Sequence, residues 1–143
     1  MSLHPMQIKY VGVRELILRT FLPPDLNTKL DVNGVLKPKY RYNTTEYDDK
    51  SNTIMVFADC EMGADDTEKD IPLYLKVSLG VHFQNINPDK FSKETAMKFA
   101  KEYSHFMIHP FLREHVFALS ARSGLPPIIL PSLQVPIFSK AEM

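Results

Sequence analysis

The chain has 143 residues, with 17 Lys and Arg balanced by 17 Asp and Glu, so its formal net charge is zero with neutral histidines. That balance argues against a basic nucleic-acid binder and against an acidic, self-repelling chain. With 44% hydrophobic and 24% charged residues it has the make-up of an ordinary globular protein, and its length suits one domain over residues 1–143.

The single cysteine, Cys60, excludes an internal disulfide and a Cys-x-x-Cys metal or redox site. No basic-then-apolar leader pattern opens the sequence, and no apolar run approaches about 18 residues. Membrane insertion is therefore not expected, and the cytosol is the expected compartment.

Residues 6–21 are rich in β-branched and aliphatic side chains, among them Ile8, Val11, Val13, Ile17 and Leu18, and predict a first strand. The alternation falters around Gly12, which points to a bulge or bend there. Pro23-Pro24-Asp25 then breaks the run. Residues 30–47 read as a second extended region with Leu36, Tyr40 and Tyr42 on one parity, which puts Pro38 at an edge, a bulge or a strand start. The polar run 48–52 predicts a hairpin turn. A third strand follows, with Ile54, Val56, Ala58, Cys60 and Met62 facing one way, and residues 63–70 read as an acidic loop. The fourth strand carries the strongest signal. Ile71, Leu73, Leu75, Val77, Leu79, Val81 and Phe83 all share one parity.

After Asn87-Pro88-Asp89 the period changes to that of a helix. Ser92 is a suitable N-cap, with Glu94 in the first turn. Met97, Phe99, Ala100, Tyr103, Phe106 and Met107 form an apolar stripe, which Phe111, Val116, Ala118 and Leu119 continue. Pro110 is expected to kink this helix or split it in two. Gly124 suits a helix C-terminus. The expected architecture is α+β: a four-stranded antiparallel sheet with a C-terminal helix, kinked or split at Pro110, on one face.

Few residues suggest chemistry. His105 and His109 stand four apart on the predicted helix, with Glu102 before them, but a metal site needs three or four converging ligands. Cys60 lies on the apolar parity of its strand, where a buried, inert thiol is the rule. No nucleophile elbow or Gly-rich phosphate loop is present, so neither an enzyme nor a bound cofactor is expected. Basic residues are scattered, eight before residue 60, three over 61–90 and six after, and supply no footprint for nucleic acid. What stands out is the apolar run 128–138, rich in Ile, Leu and Val yet interrupted by proline. It either packs over its own sheet or lines an apolar groove or subunit interface.

The stretch His109-Pro110-Phe111-Leu112-Arg113-Glu114, then eight residues, then Ser123-Gly124-Leu125-Pro126-Pro127-Ile128-Ile129-Leu130-Pro131 resembles the C-terminal signature of the SecB-type export chaperones. Further matches span most of the chain: Gln7-Ile8 through Arg14-Glu15-Leu16, Lys29-Leu30-Asp31-Val32, and Leu75-Lys76-Val77 on to Phe83. The resemblance implies a homo-oligomer, dimer or tetramer, that holds unfolded polypeptide in apolar grooves without ATP and serves protein transport. By position it implies Leu30 and Val32 as groove-lining residues, joined by Ile128 and Leu130 of the apolar tail. It puts Leu75, Val77 and Leu79 on the face toward helices and neighbouring subunits, with Phe111 as a further interface candidate. In the family an acidic outer sheet face docks the motor SecA. Here Glu15 keeps its charge while Arg19 and Lys76 replace acids, a reversal that disfavours a basic partner. The implied function is a holdase, the alternative an adaptor for one folded partner.

Overall fold

In the computed structural model, residues 3–20, 37–63, 73–124 and 127–133 are described. Among them run four strands, β1 (Met6–Thr20), β2 (Lys39–Thr44), β3 (Thr53–Gly63) and β4 (Leu73–Asn85), then two helices, α1 (Lys93–Glu102) and α2 (Ser104–Ala121). The strands form one antiparallel sheet in the order β1-β4-β3-β2. The α+β class expected from the sequence is the one found. Leu30, Val32, Leu36, most of the acidic loop and residues 134–138 lie outside the described residues.

Period-two alternation decides which way each strand faces. Leu73, Leu75, Val77, Leu79, Val81 and Phe83 of β4 are fully buried, as are Val56, Ala58 and Cys60 of β3. These rows join Ile108, Leu112 and Val116 of α2 in one core cluster. Tyr40 and Tyr42 share the helix side of β2, with their rings 5.6 Å from His109 and 5.7 Å from His105. Pro38 directly precedes β2, the edge strand, where its missing N–H costs no ladder bond.

The irregularity expected near Gly12 is real but double. Register shifts fall between Ile8 and Tyr10 and between Val13 and Glu15, one on either side of it. At the other end of the sheet the β3–β4 pair begins on a glycine with a backbone reason. Gly63 has φ +81°, and a Cβ there would come within 2.0 Å of the Leu73 carbonyl oxygen.

Asn85 links sheet to helix. Its buried amide donates to the Phe91 carbonyl at 2.7 Å and to the Tyr47 hydroxyl at 3.2 Å, while its Oδ1 accepts from the Asn87 N–H at 3.1 Å. Ser92 then caps α1, accepting from the Thr95 N–H at 3.2 Å.

The helix break is not at Pro110. It falls at Tyr103, whose φ of −125° leaves the helical region, while the Ser104 hydroxyl donates back to the Ala100 carbonyl. Pro110 sits inside α2. A proline there forfeits one backbone bond at about 3 kcal/mol. Burying Ile108, Leu112 and Val116 against the sheet stabilises the helix by roughly 5–9 kcal/mol, so packing wins. The break also shifts the buried stripe to Ser104, Ile108, Leu112, Val116 and Ser120, four apart throughout, and leaves Ala118 exposed. Three residues past the end of α2, Gly124 adopts φ +80°, as expected of a helix-terminating glycine.

Candidate functional site

β1 pairs with β4 along one edge, and among the described residues no strand pairs with its other edge. Val13 lies opposite Leu79 and Leu16 opposite Val77, so their side chains share the helix side of the sheet. Their β4 partners are fully buried, yet Val13 is 50% and Leu16 40% exposed. Val11 and Leu18, in the same row, are only partly buried. The result is an apolar shelf beside a strand edge that is unpaired among the described residues. Covering Val13 and Leu16 would add about 1.5–3 kcal/mol. The free edge can accept an extended chain by backbone pairing. Sequence reasoning placed these side chains in a strand but missed their exposure, because alternation gives a side chain's direction and not what lies above it.

A second element, residues 127–133, runs extended against α2. Three side chains of the helix hold its backbone. The Ser120 hydroxyl accepts the Ile128 N–H at 2.8 Å, Arg113 Nε donates to the Leu130 carbonyl at 2.9 Å, and His109 Nε2 donates to the Pro131 carbonyl at 2.7 Å. Ile128 and Leu130 point into the core, whereas Ile129 is 63% exposed. His109 and Arg113 belong to the very motif that carried the family resemblance; in the structure that motif anchors this strap. Its bond to the Pro131 carbonyl makes His109 part of the clamp on this strap.

Glu15, Arg19 and Lys76 lie on the outer, helix-free face. Lys76 Nζ lies 3.6 Å from Glu15 Oε2, and the Arg19 guanidinium 5.9 Å from the Tyr74 ring centroid. The Tyr74 hydroxyl donates to Glu61 at 3.1 Å. Phe57 lies over Gly80 and under the Arg14 guanidinium, 4.2 Å from its ring centroid. Lys39, Arg41 and Lys76 line a shallow notch with Asp59 and Glu61. This face carries basic groups interleaved with acids.

The remaining candidates lie in or against the core. Leu75, Val77 and Leu79 do face the helices, but the chain's own packing leaves them no exposed surface to offer a second copy. Phe111 is partly buried against the same core. Ile128 and Leu130 are core residues and not an open groove wall. Burial, with the Glu61 charge in second place, pushes the Cys60 thiol up to about 12, so it is held as the unreactive thiol. Burial likewise pushes the Tyr40 phenol up to about 12.

No family model matches the chain, and no curated protein matches it in sequence. The fold, however, is known. It is SecB-like, in a divergent form: a SecB-like chaperone of Mycobacterium tuberculosis, solved in complex with a ChAD peptide from the HigA1 antitoxin, is similar with a TM-score of 0.72 over 90% of this chain and 91% of that one, at 17% identity. A protein of unknown function from Streptococcus agalactiae is similar with a TM-score of 0.43 over 88% of this chain and 96% of that one, at 14% identity.

Proposed function

We propose that this chain is an ATP-independent polypeptide-binding chaperone of the cytosol, a holdase that binds non-native segments by apolar contact and backbone pairing without covalent chemistry. The observation that carries the reading is the shelf on β1: Val13 and Leu16 are half-exposed on the inner side of a 15-residue strand whose outer edge is unpaired among the described residues. Such an edge also gives a second copy a place to pair, which supports a homo-oligomer. The SecB-like fold agrees with both.

The alternative reading is an adaptor that recognises one partner. It draws on the Mycobacterium tuberculosis protein, whose structure holds a peptide from one antitoxin. A link to protein transport through SecA is disfavoured by Arg19 and Lys76, which on the outer face would repel a basic docking domain.

Aggregation assays with several unrelated unfolded clients, run beside a SecA-binding measurement, separate these readings. A holdase suppresses aggregation of all of them at stoichiometric amounts, and no SecA binding is expected. Suppression of none of them overturns the holdase and leaves the adaptor.

A further inference from the structure

Residues 127–133 are held as a bound peptide would be. Among the described residues none of their backbone groups pairs with another backbone group. Their polar contacts come from His109, Arg113 and Ser120 of α2. Positions 109, 113 and 120 fall on one stripe of a helix, and the strap runs antiparallel to it, residue 128 beside 120 and residue 131 beside 109. Burial alternates along the strap: Ile128 and Leu130 are inserted, while Pro127, Ile129 and Pro131 face outward. This is how an extended ligand sits in a groove, with alternate side chains in pockets and the backbone hydrogen-bonded to the wall. The fit is imperfect at one end. Among the described residues, the buried His109 Nδ1 has no hydrogen-bond partner, and Pro131 has no N–H to offer.

We infer that the strap is a built-in occupant of a groove along α2, and that the groove's other ligand is an extended polypeptide segment with branched aliphatic side chains two residues apart. Strap and segment exclude each other, because both need the pockets of Ile128 and Leu130 and the Arg113 and Ser120 hydrogen bonds. This rests on the polypeptide-binding reading above and deepens it. The strap keeps the pockets filled when no client is present, and a client must out-compete a tethered segment.

The probe is a fluorescein-labelled synthetic peptide with this chain's own sequence 125–133, added to the full chain. Wild type should bind it weakly. Leu130→Ala, which loosens the strap and leaves the α2 anchors intact, should bind it at least tenfold more tightly. Ile129→Ala, at an outward position, should stay within about twofold of wild type. A folded Leu130→Ala that binds no more tightly than wild type overturns the inference. If that variant fails to fold, hydrogen exchange on wild type decides: excess peptide should speed exchange of the Ile128 amide about tenfold, and an unchanged rate overturns the inference. Client aggregation assays keep the two readings apart. Peptide exchange without suppression of client aggregation upholds the groove and sinks the holdase, whereas suppression by wild type that Leu130→Ala leaves unchanged sinks the strap alone.

Discussion

β1 and β4 are partners along 13 registered pairs, and both put apolar side chains toward the helices, yet one is sealed and the other open. β4 lies inside the sheet with α2 above it, so every helix-side residue from Leu73 to Phe83 is fully buried. β1 lies at the edge, and the same row of side chains there emerges half-covered at Val13 and Leu16. A shared pattern therefore serves two ends. In β4 it builds the core; in β1 it leaves apolar surface exposed.

Substitutions on the two strands should separate these roles. Leu75→Asp puts a carboxylate in the core, where no partner for it is built, and should cost more than about 4 kcal/mol, abolishing the cooperative thermal transition seen by circular dichroism. A variant that melts like wild type and only elutes later on size exclusion would instead make Leu75 a subunit contact. Gly63→Ala should lower stability by about 2–3 kcal/mol in urea titration, since the alanine would need φ +81° and would press on the Leu73 carbonyl. On β1 the effect should move from folding to binding. The double substitution Val13→Asp, Leu16→Asp should change stability by no more than about 1 kcal/mol while suppression of client aggregation falls several-fold. Retained suppression would return β1 to an ordinary edge.

The smallest effect concerns α2. Burial, then the neighbouring His109, holds the His105 imidazole below its ordinary value. The folded state thus binds this proton less readily than the unfolded chain. The stability it contributes is complete above the ordinary histidine range and is lost as pH falls through and below it. Melting temperature should drop between pH 7.5 and pH 5.5, and less steeply in His105→Gln.

Much of the fold was legible because alternation and capping are local. The parity of β3 and β4, the turn closed by Asp48 and Thr53, and the Ser92 cap follow from residues near in sequence. The helix break was not legible. Pro110 looked like the interruption, but packing over the sheet overrides a single lost bond, and the real break lies at Tyr103, where the Ser104 hydroxyl bonds the Ala100 carbonyl. The site was readable in part. The motif around His109 and Arg113 revealed the fold, while its work as a backbone clamp appears only once residues 128–131 are laid beside it. The exposure of Val13 and Leu16 depends on where the helices end up, which no strand pattern encodes.

The paired bulges of β1 have a consequence for life in a crowded solution. A straight free edge of 15 residues would be a template for indefinite stacking of identical chains into fibrils. Register shifts on either side of Gly12 interrupt the strand, and a shift of this kind bends a strand and strengthens its twist. An edge broken in this way is a poor template for a propagating ladder of identical chains.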